Sequence, residues 1–269
     1  MVNLLLVGRG RTADVYEYEE GRILKLFKEN LSHSGVHDEF SMSQAVYQLG
    51  VSTPQPIDMV HQDGRIGIIY ERITGITMLH QLRSKPRHIF TLSKKMAKLH
   101  VELHKYCAYG MRSQEEYITQ NIKQAPLLSI EEKARIIGYL ENLTHSNRVC
   151  HGDFHPDNII IDHKQDSWII DWMTGMSGNP AGDVARSILL LKLGTLPEET
   201  PFLYKVLFAG IRKALTNFYT KHYLKDSIIS YKEIDQWMLP IAAARLIEWI
   251  PEEEKRKLLT LIRNRLNTL

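Results

Sequence analysis

Over the first 75 residues, hydrophobic positions come in short runs broken by glycine and charged pairs. Asn3 to Val7 is apolar, and Gly8-Arg9-Gly10-Arg11-Thr12 reads as a turn. Ala13 to Tyr18 is β-prone, Glu19-Glu20-Gly21 turns again, and Ile23 to Phe27 is apolar around one lysine. This predicts three strands within 3–28. Met42, Ala45, Val46 and Leu49 then recur at helical spacing, predicting a helix from Asp38 to Leu49 stopped by Gly50. Two more strands follow at 56–62 and 66–73, with Asp63-Gly64 as their turn.

After Gly75 the pattern changes to helical. Helices are expected at 86–107, 113–124, 129–143, 183–193, 201–220, 231–249 and 251–267. One interruption is β-rich: Asn158 to Asp162 and Ser167 to Asp171, separated by His163-Lys164-Gln165-Asp166, read as a hairpin. The expected organisation is an N-terminal lobe over 1–75 and a helical lobe over 76–269.

Composition adds little to this picture. A chain of 269 residues, 43% hydrophobic and 24% charged, is ordinary for a globular protein. A net charge of +3 does not argue for a nucleic-acid or membrane partner. No apolar run approaches a membrane span, and the start lacks the form of a signal peptide. Cys107 and Cys150 have no metal-type spacing, so a cytoplasmic protein with free thiols is expected.

The candidate chemistry centres on His151-Gly152-Asp153-Phe154-His155-Pro156-Asp157-Asn158 and on Asp171. Phosphoryl transfer needs a carboxylate to orient and deprotonate a hydroxyl, and oxygen ligands to hold Mg²⁺ on nucleotide phosphates. Asp153 suits the first role; Asn158 and Asp171 suit the second. Asn158 opens one strand of the hairpin and Asp171 closes the other, so an antiparallel pairing makes them neighbours.

Lys25 carries a second signal. Strand alternation puts Ile23, Lys25 and Phe27 on one face and Leu24 and Leu26 on the other. A lysine on an apolar face needs a counter-charge or an anionic ligand. Asp38 and Glu39 are both candidates; helical spacing does not separate them, and the longer Glu39 reaches further. The turn at Gly8, Gly10 and Thr12 lacks the Lys-Ser/Thr ending of a P-loop, and a strand rather than a helix follows, so a flap over phosphates is expected. His100 and His104 have a zinc-compatible spacing but no further ligand set evident in sequence. Asp183 is read as a helix cap in preference to a brace for the loop around Asp153.

Lys25, an acidic helix residue, His151-Gly152-Asp153 to Asn158, and Asp171 occur in the order of the protein-kinase-like fold. His-Gly-Asp-x-His-Pro-x-Asn followed by Ile-Asp-Trp resembles the aminoglycoside phosphotransferase and choline kinase branch. Leu24-Lys25-Leu26-Phe27 and Met96-Ala97-Lys98-Leu99-His100 are similar to that branch as well. The resemblance spans about residues 4–190. It implies an α+β fold with an antiparallel β-rich N-lobe, a mainly helical C-lobe, and ATP or GTP bound between them. It further implies that Lys25 binds the α/β-phosphates and pairs with Glu39, that Asp153 is the catalytic base, and that Asn158 and Asp171 hold Mg²⁺. Gly8, Gly10 and Thr12 would cover the nucleotide, and the backbone around Glu71 to Ile73 would meet the purine. Gly152 stands where protein kinases have Arg, which suggests a constitutive enzyme.

The segment after Asp171 is short and contains no Ala-Pro-Glu, which disfavours a protein Ser/Thr kinase. The expected partner is a small-molecule hydroxyl: an aminoglycoside, an amino alcohol or a sugar-like alcohol. From Trp172 to Leu269 ten Asp/Glu face fourteen Lys/Arg, a formal +4, which argues mildly against a polycationic substrate. Local acids such as Glu248, Glu252, Glu253 and Glu254 could still line such a site. The alternative is a nucleotide-binding pseudokinase scaffold, whose mark would be a lost lysine, base or metal ligand.

Overall fold

The computed structural model describes residues 5–29, 31–194 and 202–269, with the main chain alone over 202–207. Asn3 and Leu4, the start of the first expected strand, and residue 201, the start of an expected helix, lie outside the described residues.

In chain order, β1 (Leu6–Arg9), β2 (Ala13–Glu17) and β3 (Arg22–Phe27) precede α1 (His33–Gln48). Then come β4 (Pro56–Gln62), β5 (Arg65–Glu71), β6 (Gly75–Thr77), α2 (Met78–Ser84), α3 (Ile89–Leu103), α4 (Gln114–Gln124) and α5 (Ile130–Glu141). The loop carrying Asp153 follows β7 (Arg148–Cys150). After it come β8 (Ile159–Asp162), β9 (Ser167–Ile169), β10 (Met176–Gly178), α6 (Pro180–Leu193), α7 (Phe202–Asp226), α8 (Tyr231–Ala244) and α9 (Glu252–Leu266).

Two compact units result: Met1–Gln81 with Pro156–Gly175, and Leu82–His155 with Met176–Leu269. Residues 76–81 and the hairpin segment therefore group with the β-rich part, whereas the sequence reading made one cut at 75/76. Pairing accounts for the grouping. β8 joins β6 on one side and β9 on the other. The Ile169 N–H donates to the Ser52 carbonyl at 2.8 Å, and Trp172 Nε1 donates to Thr53 Oγ1 at 2.9 Å.

The first unit is built on an antiparallel sheet ordered β1-β2-β3-β5-β4. Asp63 and Gly64 close the β4–β5 hairpin with φ of 50° and 75°, the two positive values a tight primed turn needs. The sheet alternates as the sequence predicts. Phe27, Ile66, Ile68 and Tyr70 pack with Val36 of α1, with Ile23 beside them. Leu24, Leu26 and Ile69 form a separate cluster with Tyr16 and Val60. Lys25, in register with Val15 and Ile68, shares the face of Ile23 and Phe27, the one that α1 covers. Helix α1 starts five residues before the expected Asp38, because Ser32 caps it by accepting from the Gly35 N–H.

The second unit is helical apart from β7 paired with β10. Here α3 packs on α7 and α6 on α8. At Gly182 a Cβ would lie 2.8 Å from the Trp237 ring, so α6 and α8 approach more closely than a side chain permits. Among the described residues, no helix is long and apolar enough to cross a membrane.

Candidate active site

In the first unit, strand alternation and the α1 cap bring Lys25 and Glu39 together. Lys25 Nζ donates to Glu39 Oε1 at 2.5 Å and to Asp171 Oδ1 at 2.8 Å. Asp38, the competing acid, is exposed. Glu39 is buried and also accepts from Tyr70 Oη at 3.3 Å, while its Oε2 has no hydrogen-bond partner among the described residues. Burial works against the Lys25 charge, but the Asp171 and Glu39 carboxylates outweigh it and its pKa is raised. Burial pushes the Glu39 carboxyl up, and Lys25 pulls it back. Two carboxylates on one ammonium leave a local excess of negative charge, a setting that favours a cation.

Asp171 reaches Lys25 because the chain turns sharply after β9. Its φ of 69° and ψ of 72° lie in the left-handed region, where Asp is one of the few tolerated side chains. Gly175 then passes so close to α1 that a Cβ would lie 2.7 Å from Met42 Cγ, pinning this segment to the helix. Asn158, buried, sits just ahead of β8. Its carbonyl accepts from the Ile170 N–H at 3.0 Å, so Asn158 and Asp171 lie at one end of the hairpin. Both offer side-chain oxygens, the donor type Mg²⁺ prefers.

Gly8 lies in β1, and Gly10 and Thr12 lie in the turn into β2. The Gly10 N–H donates to the Ala13 carbonyl at 2.8 Å, and Lys28 Nζ donates to the Gly10 carbonyl at 3.0 Å. Glu71 ends β5, and Ile73 lies in the link to β6. The N–H groups of Glu71 and Arg72 donate within the protein, to the Gln55 and Gly21 carbonyls.

Asp153 belongs to the second unit. The preceding Gly152 has φ of 75°, a value for which glycine is suited. Asp183 of α6 accepts from the His151 N–H at 2.6 Å (Oδ2) and from the Gly152 N–H at 2.8 Å (Oδ1). The cap of α6 is Asn179, whose side chain accepts from the Ala181 N–H. The expected cap role for Asp183 is thus corrected: three residues more of helix precede it, which buries it under the loop. Asp153 lies 3.3 Å from His155 Nε2 through Oδ2 and 3.6 Å from Arg186 Nη2 through Oδ1. Burial opposes its charge, but the His155 hydrogen bond and the charges of His155 and Arg186 prevail and hold the carboxyl below its ordinary range.

His100 and His104 converge on the same brace, donating from Nε2 to Asp183 Oδ2 at 3.0 and 3.3 Å. Tyr219 and Tyr223 of α7 hydrogen-bond their Nδ1 atoms at 2.7 and 2.8 Å. Two helical i, i+4 pairs thus meet rung to rung. His100, His104 and Asp183 place three ligand-type atoms within 4.8 Å of one another, a grouping the sequence did not reveal. Every ring nitrogen of the two histidines already has a partner, so the neutral hydrogen-bonded network is complete with protons alone. Burial, followed by His104, lowers the His100 pKa to about 3, which keeps that ring neutral.

A protein-family model described as "Phosphotransferase enzyme family" matches residues 3–210. The chain belongs to this family. Solved structures of similar fold include an aminoglycoside-3'-phosphotransferase of type VIII, 16% identical, with a TM-score of 0.60 over 90% of this chain and 93% of that one. Choline kinase LicA from Streptococcus pneumoniae is 15% identical, with a TM-score of 0.63 over 97% and 92%. APH(2")-IIa, solved as a ternary complex with streptomycin and ATP, is 17% identical, with a TM-score of 0.61 over 97% and 91%. At these identities the likeness is one of fold, and it matches the expected kinase-like architecture. A comparison with curated protein sequences found no match. In this phosphotransferase, Arg186, Tyr219 and Tyr223 join the candidate residues without having been singled out in sequence, and Glu248, expected as a substrate-lining acid, is instead paired with Arg186. The available signal for Arg186 was its spacing of three from Asp183, which puts both on one helical face.

Proposed function

We propose that this phosphotransferase moves the γ-phosphate of ATP or GTP to a hydroxyl of a small molecule. The observation that carries the reading is Lys25 Nζ bonded to both Glu39 and Asp171, a charged lysine held where nucleotide phosphates would compete for it. Asp153, kept ionised, orients the acceptor hydroxyl and takes its proton. The brace from Asp183 fixes the backbone on which Asp153 sits. Asn158 and Asp171 would hold Mg²⁺. When bound, the ion neutralises charge on the phosphate oxygens. Gly8, Gly10 and Thr12 cover the phosphates, and the backbone from Glu71 to Ile73 meets the purine. The candidate lysine, base and metal ligands are all present, which disfavours the scaffold reading. Cys107 and Cys150 as free thiols fit a cytoplasmic setting.

The acceptor is a neutral or singly charged alcohol or amino alcohol. Neighbours of similar fold include structures holding the aminoglycosides streptomycin and hygromycin B, as well as a choline kinase. A polycation needs unpaired carboxylates around it. The four acids singled out for that role are engaged. Glu248 pairs with Arg186 and Arg245, Glu254 with Arg245, Glu252 with Lys255, and Glu253 with Lys257. The test is nucleotide-dependent phosphorylation of a panel containing an aminoglycoside, choline, ethanolamine, glycerol and a neutral sugar. Turnover of uncharged or singly charged members ahead of the aminoglycoside supports the reading; an aminoglycoside as the sole acceptor overturns it.

A further inference from the structure

Helix α6 grips the loop before Asp153 twice. Asp183 accepts from the Gly152 N–H, and one helical turn later Arg186 Nε donates to the Gly152 carbonyl. Both ends of a glycine that must hold positive φ are therefore fixed by one helix. The rest of the guanidinium is committed as well. Nη1 donates to Glu248 Oε1 at 2.5 Å, and Nη2 lies 3.6 Å from Asp153 Oδ1. Glu248 is itself held, because its other oxygen accepts from Arg245 Nε at 3.2 Å. Arg245 in turn donates from Nη2 to Glu254 Oε1 at 2.7 Å. The result is a line of alternating charges, Asp153, Arg186, Glu248, Arg245 and Glu254. Asp153 and Glu248 are its more exposed members, and Arg245 and Glu254 are buried.

We propose that Arg186, clamped by Glu248, is a positioning residue for Asp153. Its planar fork fixes the Gly152 carbonyl and one oxygen of the Asp153 carboxylate together, which sets the direction in which that carboxylate meets an acceptor hydroxyl. A lysine at this position supplies charge without the fork. The inference rests on the assignment of Asp153 as the base. Among the described residues, groups that face the Asp153 carboxylate include His151 and His155 from its own loop and Arg186 from α6.

The experiment compares full-length wild type, Arg186→Met, Arg186→Lys and Glu248→Gln, with Asp153→Asn as the control that first establishes base-dependent turnover. In Arg186→Met, Glu248 keeps Arg245 as a partner. We expect kcat to fall by roughly 10- to 100-fold, with KM for the nucleotide within about twofold, the pattern of a lost transition-state arrangement. Arg186→Lys and added guanidinium chloride should each restore part of kcat. Glu248→Gln, which keeps the guanidinium but loosens it, should lose less. A folded Arg186→Met with wild-type kcat, or a loss that neither lysine nor guanidinium relieves, overturns the proposal. A second readout needs no turnover: carboxyl-carbon NMR titration of Asp153. Its midpoint should rise by about one unit or more in Arg186→Met, as when a carboxylate loses a nearby cation. An unmoved midpoint overturns the contact itself. Absent Asp153-dependent turnover in wild type would instead remove the base assignment.

Discussion

Lys25 Nζ donates to Asp171 Oδ1 at 2.8 Å, joining a residue of β3 to one that follows β9. The separation of 146 positions makes this a product of the fold rather than of local sequence. It also sets one lysine against two carboxylates, since Glu39 lies on its other side.

Replacing Lys25 by Met should therefore do two things. It leaves Glu39 buried without its cation, a loss of the kind that costs about 3–5 kcal/mol. It also removes the proposed phosphate partner. Thermal denaturation should report a clear drop in Tm, and titration calorimetry should report loss of Mg-nucleotide binding. Lys25→Met with unchanged nucleotide affinity would contradict the assigned role.

Asp171→Ala and Asn158→Ala should weaken nucleotide binding in the presence of Mg²⁺ and leave metal-free binding nearly unchanged. Varying Mg²⁺ at fixed nucleotide separates the two. Equal weakening with and without the metal would count against these residues as its ligands.

The two-part fold, the hairpin and the apolar face that bears Lys25 were legible in the sequence because each rests on a periodicity or a turn signal, whereas Glu39 was preferred to Asp38 on its reach and on the family resemblance. Alternation in Ile23 to Phe27 placed Lys25 on the α1 face, and the structure keeps it there. The roles of Asp183 and Arg186 were hidden. Asp183 looked like a cap because the helix was expected to begin at it, whereas Asn179 caps four residues earlier. Its real partners, His100 and His104, lie about eighty residues upstream, and Tyr219 and Tyr223 lie on yet another helix. No periodicity within one segment encodes which helices will face one another. The paired state of Glu248 and Glu254 was hidden for the same reason.

Asp183→Asn tests the brace. The carboxylate takes four N–H donors, from His151, Gly152, His100 and His104. An amide has one acceptor oxygen and turns an NH₂ toward the remaining donors. The variant should be destabilised by at least about 3 kcal/mol, as when a buried network loses a charged member. Chemical denaturation measures it; a loss under about 1 kcal/mol would argue that the brace is dispensable.

Acid stability follows from the same cluster. His100 has a folded pKa near 3 against an unfolded value of 6.5, so the unfolded chain binds the proton first. Its contribution is fully present above about 6.5 and is lost as pH falls toward 3. Asp183, held below its ordinary value of 3.8, adds a loss in the same direction at lower pH. Unfolding free energy should therefore begin to decline near pH 6.5, and His100→Gln should flatten the curve between about pH 6 and 4.5. An identical slope in that variant would contradict the buried neutral histidine.

The most direct test of the central claim pairs two measurements on Asp153→Asn: nucleotide diphosphate release with Mg²⁺ and the best acceptor of the panel, and Mg-nucleotide affinity by calorimetry. The account predicts a fall in turnover of at least about a hundredfold, the usual effect of a lost general base, with affinity nearly unchanged. Turnover close to wild type, or affinity lost in step with turnover, would contradict the assignment of Asp153 as the base of a phosphoryl transfer.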